Sequence, residues 1–281
     1  MNINIYGSTG IIGSKTLLIV KKYFPHININ LLCANNNVNK LIKQSHIFKP
    51  KYIFLYNNNN IDTLKQNAYS KSKILNFKDL QNYLSNSKSD YSLLAISGYK
   101  SLIYFDKILR NSSSLGIVSK EAIVSGGHLF NKLTKKNKKK IFPIDSEHFS
   151  IFHYLSNSNS IDQIKNITLT ASGGPFLGKK YSSLKNVSFS EAINHPKWKM
   201  GYKNSIDSAT LSNKCLELIE AHYLFDIPFT NLKILVHPES IIHSIIQNKN
   251  YIYNMIAFQN DMSIPVYNFL NQKFNFTLNK K

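Results

Sequence analysis

The chain has 281 residues, enough for two domains, and its hydrophobic fraction of 43% is ordinary for a globular protein. The formal charge of +20 is high, but the lysines are spread along the chain, which favours small anionic ligands over a nucleic-acid partner. No stretch reaches the roughly 18 apolar residues of a membrane span, and the two cysteines, far apart in sequence, exclude a disulfide framework or a thiolate metal site.

The N-terminus leads almost directly into an apolar run that predicts a first core strand, so there is no room for a signal peptide. We therefore expect a soluble, cytoplasmic protein without a membrane partner. The one dense basic run, at residues 135–140, is typical of a solvated loop or helix end.

Short apolar runs and helix-length segments alternate through the first half of the chain. The runs, which predict strands, cover residues 3–6, 27–33, 52–56, 91–96 and 115–119. Strands separated by helices join through right-handed crossovers into a parallel sheet. We therefore predict an α/β domain with a doubly wound parallel sheet over residues 1–143. From about Pro143 the chain has longer loops marked by Gly and Pro, and we predict a second, α+β domain over residues 144–281.

A glycine-rich turn, GSTGIIG, follows the first predicted strand and leads into an apolar helix. Gly7, Gly10 and Gly13 would allow a tight turn, close approach of backbone N–H groups to a pyrophosphate, and close packing of helix on strand. The position between strand and helix favours a Rossmann-like dinucleotide site over a purely structural turn.

Three asparagines, Asn35 to Asn37, follow the second predicted strand, where a site for NAD would usually offer a carboxylate to the ribose. Because no carboxylate there repels a 2′-phosphate and Lys40 lies nearby, the sequence favours NADP. The alternative is that these asparagines only form a turn.

The segment TASGGPF places Ser172 just before Gly173 and Gly174. Backbone N–H groups beside a hydroxyl suit a substrate phosphate, although a simple glycine turn is an equal alternative. In HPKWKMG, His195 is a candidate hydrogen-bond donor to the substrate phosphate. Trp198, in the same polar segment, could close over a bound ligand and exclude water.

A polar cluster is predicted in residues 206–222, where a helix beginning near Ser208 would place Asn213, Lys214 and Glu217 on one face. The apolar stripe of this helix would consist of Leu211, Cys215, Leu218 and Ile219. If Glu217 meets the two carboxylates of the upstream segment IDSEH, Asp145 and Glu147, they form an oxygen-rich pocket for a hard divalent ion. The alternative for the helix alone is a solvated face.

Seven segments together resemble the 1-deoxy-D-xylulose 5-phosphate reductoisomerase family of the non-mevalonate isoprenoid pathway, whose members make 2-C-methyl-D-erythritol 4-phosphate. They occur in the family's order and read GSTGIIG, SKEAIVSGG, PIDSEHFSIF, ASGGPF, HPKWKMG, IDSATLSNKCLELIEAH and VHPESIIHS. The resemblance covers essentially the whole chain. The family normally continues into a C-terminal helical domain, so the resemblance implies that this domain is absent here.

The resemblance also implies ligands and site residues. The cofactors would be NADPH and Mg2+ or Mn2+, the substrate a sugar phosphate, and the assembly a homodimer formed through the sheet of the second domain. The implied metal ligands are Asp145, Glu147 and Glu217; the substrate-binding residues are Lys120, Ser146, Glu147, Ser172, His195, Trp198, Ser208, Asn213, Lys214 and Glu217. The implied catalytic residues are Lys120, Glu147, Lys214 and Glu217; the cofactor-binding residues are Thr9, Gly10, Ile11, Ile12, Asn35, Asn36, Asn37, Ser119, Glu121 and Gly201.

Three positions depart from the family's pattern. Asn36 stands where the family usually has Lys or Arg, so we expect weaker discrimination between NADPH and NADH. Ser119 replaces a customary Asn beside the nicotinamide, and Cys215 replaces a Gly beside Lys214.

Other functions remain as alternatives. A semialdehyde dehydrogenase shares a similar glycine turn but needs a nucleophilic cysteine near a histidine, and neither Cys33 nor Cys215 lies in such a setting. A catalytically impaired member of the family, or a basic protein that keeps the fold and binds nucleic acid, is the remaining alternative.

Overall fold

The structure is a computed structural model that describes residues 1–135, 141–157, 160–194 and 201–272. By internal contacts the chain divides into two compact units. The first contains Met1–Ile144 and the segment from Met262 onward, and the second contains Asp145–Asp261. Within the described ranges, no helix combines the length and apolar character needed to cross a membrane.

A parallel sheet forms the centre of the first unit. Its described strands are β1 (Asn2–Tyr6), β2 (Asn28–Ala34), β3 (Tyr52–Leu55), β4 (Lys73–Leu75), β5 (Ser89–Leu94), β6 (Ser112–Ile117) and β7 (Ile141–Pro143), in the order β4-β3-β2-β1-β5-β6-β7. The predicted doubly wound parallel sheet is therefore confirmed. Strands β4 and β7 were not predicted, because three residues are too few to give a recognisable apolar run.

The crossover segments of the first unit are helical. They are α1 (Ile11–Tyr23), α2 (Val38–Phe48), α3 (Ile61–Asn67), α4 (Phe77–Asn86), α5 (Leu102–Asn111) and α6 (Lys120–Thr134). The strand order reverses at β1, which pairs with both β2 and β5. In open sheets of this kind, ligands bind beyond the carboxyl ends of the strands at such a reversal, which here is where the glycine-rich turn leaves β1.

The second unit is built on a mixed sheet. Its described strands are β8 (Ile164–Ala171), β9 (Leu232–Val236), β10 (Ile242–Asn248) and β11 (Tyr253–Ala257), in the order β11-β10-β8-β9. The β8–β9 pair is parallel and the other two pairs are antiparallel. Its described helices are α7 (Ser146–Ser156), α8 (Phe189–Ile193), α9 (Tyr202–Ala209) and α10 (Ser212–Phe225). This architecture agrees with the predicted α+β class.

The helix predicted to begin near Ser208 is in fact two helices. Helix α9 ends at Ala209, and Leu211 adopts φ +60° immediately before α10 begins. The predicted apolar stripe is wrong at Leu211 and Cys215, which are exposed, whereas Leu218 and Ile219 are half-buried. The charged residues Lys214, Glu217 and Glu220 are buried. Burial of these charged groups requires partners, which the second unit supplies.

The last described helix, α11 (Ser263–Leu270), belongs to the first unit. Its Phe269 is fully buried and lies 5.5 Å, between ring centroids, from both Tyr91 of β5 and Phe142 of β7. The structure thus differs from the sequence-based division, which placed all of residues 144–281 in the second domain. Apolar contacts to the first sheet, which chain order does not reveal, account for the difference.

Candidate functional site

The glycine-rich turn of the first unit has a backbone that only glycine fits at two positions. Gly7 has φ +93°, and a Cβ there would lie 2.3 Å from the carbonyl oxygen of Ala95. A Cβ on Gly13 would lie 2.2 Å from the carbonyl oxygen of Gly7. Gly10 is the cap residue of α1, and the first N–H groups of an α-helix have no partner within the helix, which is what suits such a terminus to an anion.

Two side chains of α2 support this turn. The Nζ of Lys40 donates to the carbonyl oxygen of Thr9 at 2.8 Å, and the Nε2 of Gln44 donates to the carbonyl oxygen of Ser8 at 2.8 Å. A basic side chain therefore lies directly against the predicted pyrophosphate turn. Lys40 was predicted from the sequence to lie near the cofactor, whereas Gln44 was not, because its role depends on the packing of α2 against the turn.

The three asparagines after β2 are exposed. The side chain of Asn37 caps α2 by accepting a hydrogen bond from the backbone N–H of Lys40 at 3.0 Å. Asn37 thus has the structural role that the alternative interpretation assigned to these residues. Asn35 and Asn36 remain available at the surface.

The residues predicted near the nicotinamide lie at helix starts. Ser119 precedes α6 and donates from its Oγ to Glu121 Oε2 at 2.9 Å. Lys120, the first residue of α6, is 5% exposed. Gly201 belongs to the second unit, where it is the exposed cap residue of α9.

Three carboxylates converge in the second unit. Asp145 caps α7, Glu147 lies in the first turn of α7, and Glu217 lies on α10. One oxygen from each lies within 4.8 Å of the others. The Nζ of Lys214 donates to Glu147 Oε1 and to Glu217 Oε2, both at 2.5 Å. The predicted meeting of these carboxylates is therefore present in the structure.

Neutral donors hold the outer oxygens of the two glutamates. Ser146 Oγ donates to Glu147 Oε2, and Asn213 Nδ2 donates to Glu217 Oε1, each at 2.5 Å. Because each glutamate is held by both the ammonium and a neutral group, its orientation is fixed. The orientation of ligands before binding is a feature of tight cation sites.

The electrostatics of this cluster favour an additional cation. Burial, together with the charge of Glu217, raises the pKa of Glu147 above its usual value despite the nearby ammonium. Burial alone would lower the pKa of Lys214, but the two glutamates outweigh it and hold that pKa above its ordinary value. Lys214 beside Glu147 and Glu217, and His148 beside Asp145 and Glu220, supply two positive groups for four carboxylates, so negative charge remains uncompensated among them. An all-oxygen donor set of this kind fits Mg2+ or Mn2+.

Two further residues lie beside the carboxylates and were missed by the sequence analysis. His148 is fully buried, and its Nδ1 lies 3.1 Å from Asp145 Oδ1 and 3.5 Å from Glu220 Oε2. Burial opposes its charge, but Glu220 and Asp145 raise the pKa of His148 to about 9. The available signal was spacing, because Glu220 follows Glu217 by three residues and His148 follows Asp145 by three.

The predicted phosphate-binding serines lie on adjoining segments. Gly173 and Gly174 follow Ser172 with φ values of +87° and +72°. A Cβ on Gly174 would lie 2.5 Å from the carbonyl oxygen of Ser208, so the turn after β8 packs directly against the end of α9. His195 and Trp198, the other two candidates for this side of the substrate, lie outside the described residues.

Comparison with known proteins supports the resemblance first seen in the motifs. The family model for 1-deoxy-D-xylulose 5-phosphate reductoisomerase matches residues 3–127, and the model for the C-terminal domain of that enzyme matches residues 141–225. The enzyme of this name from Pelagibacter ubique (strain HTCC1062) is 39% identical over 269 residues, covering 95% of this chain and 69% of the relative. That from Clostridium kluyveri (strain ATCC 8527) is 40% identical over 274 residues, covering 96% and 71%.

Solved structures give the same result. A DOX-P reductoisomerase in complex with NADPH, fosmidomycin and magnesium is 33% identical with a TM-score of 0.87, covering 96% of this chain and 69% of that one. The 1-deoxy-D-xylulose 5-phosphate reductoisomerase of Zymomonas mobilis in complex with NADPH is 29% identical with a TM-score of 0.85, covering 99% and 73%. A hyperthermophilic archaeal homoserine dehydrogenase, at 12% identity and a TM-score of 0.55, shares the fold alone.

Proposed function

The chain belongs to the 1-deoxy-D-xylulose 5-phosphate reductoisomerase family, and on that premise we propose that it converts 1-deoxy-D-xylulose 5-phosphate to 2-C-methyl-D-erythritol 4-phosphate with NADPH and a divalent metal. The observation that supports this most strongly is the convergence of Asp145, Glu147 and Glu217 around Lys214. The reaction breaks and rejoins the carbon skeleton and then reduces the resulting aldehyde.

Asp145, Glu147 and Glu217 would hold the metal, because their all-oxygen donor set suits Mg2+ or Mn2+. When bound, the metal would act as a Lewis acid toward the ketone and the adjacent hydroxyl, and NADPH would supply the hydride. Lys214 would offset negative charge that develops on the sugar oxygens, since its ammonium is buried and fixed beforehand by two carboxylates. Ser146 and Asn213 would orient those carboxylates and contact the substrate.

The substrate phosphate would bind at Ser172 and Ser208, which the close packing of Gly174 on α9 brings onto adjoining segments. Its contacts would supply binding energy remote from the reacting carbons and so orient them. For His195, Trp198 and Lys120, the motifs alone support a role toward the substrate.

NADPH would bind with its pyrophosphate on the backbone of Thr9, Gly10, Ile11 and Ile12, at the start of α1. Asn35, Asn36 and Asn37 would lie at the adenosine end, with Ser119, Glu121 and Gly201 toward the nicotinamide. The ammonium of Lys40 on the turn favours an anionic cofactor there.

We also propose a homodimer formed through the sheet of the second unit. Among the described strands β11 lies at an edge of this sheet, and its Tyr253 and Met255 are 58% and 60% exposed. Apolar side chains on an unpaired strand edge favour association with another chain.

The proposed activity is tested by following NADPH absorbance with deoxyxylulose phosphate and Mn2+, in the intact chain and in Glu217→Gln. Glu217→Gln should lower the rate at least about a hundredfold, because one charged ligand of the metal is lost. A matched control is Glu239→Gln, since Glu239 is a surface glutamate whose side chain is 65% exposed. A rate that survives chelation, or that Glu217→Gln leaves unchanged, would contradict the proposal. Salt-sensitive RNA binding without NADPH consumption would favour the nucleic-acid-binding alternative.

A further inference from the structure

Tyr56 is an exposed aromatic residue to which the proposed function gives no role. It follows Leu55, the last residue of β3, and is 45% exposed. Its backbone N–H donates to the carbonyl oxygen of Ala34 at 2.9 Å, and that of Asn57 donates to the carbonyl oxygen of Asn35 at 3.0 Å. The chain after β3 therefore stays paired with the chain after β2. Tyr56 thus lies beside the residues proposed for the adenosine end of the cofactor.

Other aromatic rings hold Tyr56 in place. Phe77, the first residue of α4, lies 5.4 Å from the Tyr56 ring, between centroids, with the two ring planes at 77°. Phe77 also lies 5.2 Å from the ring of Phe54, which is 4% exposed. Phe54 and Tyr56 are two positions apart on extended backbone, so their side chains lie on the same face of the sheet. The buried ring anchors this aromatic cluster, and Tyr56 is its most exposed member.

A second tyrosine approaches from α5. Burial, followed by the proximity of the Tyr56 and Cys33 side chains, raises the pKa of Tyr104 above its usual value. Helix α5 follows β5, on one side of β1, whereas Tyr56 follows β3, on the other side. The two tyrosines therefore approach one another across the strand reversal at β1, which is where sheets of this kind bind their ligands.

The glycine-rich turn lies at the same edge of the sheet. The backbone N–H groups of Gly7 and Ser8 both donate to the carbonyl oxygen of Cys33 at 2.9 Å. The end of β2 thus has the glycine-rich turn on one side and Tyr56 on the other. Neighbouring strands are about 4.8 Å apart, which places Tyr56 roughly 10 Å from the turn that leaves β1. An adenosine whose pyrophosphate lies on the turn spans a distance of that order.

We propose that Tyr56 binds the cofactor by packing its ring against the adenine base of NADPH. This inference rests on the proposed function, from which it takes the dinucleotide alone. Adenine is flat and uncharged, and an exposed aromatic ring attracts a base through its π-face without any need for charge. Because NADPH and NADH carry the same base, the contact adds affinity for both. The choice between the two cofactors then depends on the position of Asn36.

The test measures NADPH binding to the full chain, without substrate, by the fluorescence of the reduced nicotinamide. Tyr56→Ala should raise the Kd of NADPH about tenfold, the usual effect of removing one base–aromatic stack, and should raise the Kd of NADH by the same factor. Tyr56→Phe keeps the π-face, so it should bind both cofactors as the unmodified chain does.

Tyr23→Ala is the matched control. Tyr23 is 51% exposed, and its ring also packs edge-on against another ring, that of Tyr267, at 5.6 Å between centroids. It is the last residue of α1, which begins at the glycine-rich turn, so it lies at the opposite end of the sheet. The substitution removes a comparable surface contact and should leave the Kd of both cofactors unchanged. Melting curves by circular dichroism show whether each variant is folded.

Two competing ligands separate a contact with the base from a disturbance of the glycine-rich turn. Adenosine 2′,5′-bisphosphate carries the base and should displace NADPH about tenfold less well from Tyr56→Ala than from the unmodified chain. Inorganic pyrophosphate has no base and should displace NADPH with the same inhibition constant from both.

Three results would overturn the inference. The first is a folded Tyr56→Ala variant with an unchanged Kd for NADPH. The second is a Tyr56→Phe variant that loses as much affinity as Tyr56→Ala, which would assign the contact to the hydroxyl group. The third is an equal loss of bisphosphate and pyrophosphate binding, which would assign the effect to the turn.

The unmodified chain separates this inference from the proposed function. If it binds NADPH but does not convert deoxyxylulose phosphate, the proposed function fails, and the role of Tyr56 is still decided by the variants. If it binds no dinucleotide at all, both are refuted.

Discussion

Lys214 decides the charge balance among the carboxylates. Its side chain is buried, and its ammonium contacts two glutamates that would otherwise repel one another. A buried ion pair of this kind adds little net stability, because the cost of desolvating its charges offsets most of their attraction. Its value is in fixing positions, and this is the property that a cation site and a reacting oxyanion both need.

Cys215, which replaces the family's glycine beside Lys214, is exposed on α10. Its side chain therefore does not enter the buried cluster that Lys214 and Glu217 form. The departure at this position leaves the carboxylate geometry intact.

Asn36 leads to a prediction about the cofactor. It is exposed and uncharged, so a 2′-phosphate would lack the ionic contact that Lys or Arg supplies, and the unmodified chain should discriminate only weakly between NADPH and NADH. A hydrogen bond to a charged group contributes roughly 1.5–3 kcal/mol, less when exposed, so Asn36→Lys should raise the preference for NADPH about tenfold. The measurement is kcat/KM for both cofactors.

Asn58→Lys is the matched control, because Asn58 is an exposed asparagine in the short 3-10 helix after β3 and its replacement adds the same charge. It should leave the preference unchanged. A strong NADPH preference in the unmodified chain would show that another residue, with Lys40 as the first candidate, already supplies the contact.

At the scale of elements, α10 is a helix whose charged face is buried. Lys214, Glu217 and Glu220 are each less than 5% exposed, whereas Leu211 before the helix is 40% exposed. Apolar periodicity therefore does not identify the buried face of this helix, since the rule assumes that charges face water. The rule fails here because carboxylates and an ammonium from two helices compensate one another.

The turn after β8 leads to a prediction about stability. Both Gly174 and Gly178 have positive φ, +72° and +79°, but a Cβ on Gly174 would clash with the carbonyl oxygen of Ser208, whereas a Cβ on Gly178 would meet nothing within 4 Å. An L-residue in the left-handed region costs roughly 1–2 kcal/mol. Gly178→Ala should lose about that much stability, and Gly174→Ala should lose more.

The stabilities of the two variants are compared by urea unfolding, followed by far-ultraviolet circular dichroism. Gly174→Ala should also raise KM for the sugar phosphate, because it displaces the turn that carries Ser172 from α9. Equal midpoints for the two variants would contradict the close packing of this turn on α9.

At the scale of the molecule, the charge of +20 is a property of the whole sequence rather than of one patch. A positive surface raises the local concentration of anionic ligands such as sugar phosphates and NADPH. The carboxylate cluster is the exception, since it gathers negative groups in the second unit, with Glu217 buried and Asp145 and Glu147 partly buried.

The proposed homodimer is tested by light scattering after size-exclusion chromatography. Met255→Lys places a charge on the exposed edge strand β11 and should yield monomers, because a buried unpaired charge is unfavourable. Ile103→Lys is the control, since Ile103 is 69% exposed on α5 of the other unit. A monomeric unmodified chain, or a Met255→Lys variant that stays dimeric, would refute this interface.

The sequence by itself determined the parallel sheet, the glycine turn and the family. Apolar strand runs, glycines at fixed spacing and seven ordered motifs are local properties of the chain, and they suffice to predict a tight turn at the glycines. The sequence also suggested a metal site on the condition that Asp145, Glu147 and Glu217 meet. It could not show that they do, since the order of residues contains no distances.

Only the tertiary structure decided which face of α10 is buried, where α9 ends, that α11 packs with the first unit, and that His148 and Glu220 lie behind the carboxylates. In each case the deciding energy comes from groups far apart in the chain. The ammonium of Lys214, 67 positions along the chain, compensates the charge of Glu147. Phe269 packs against Tyr91 and Phe142, which lie far earlier in the sequence. Contacts of that kind exist only once the chain has folded.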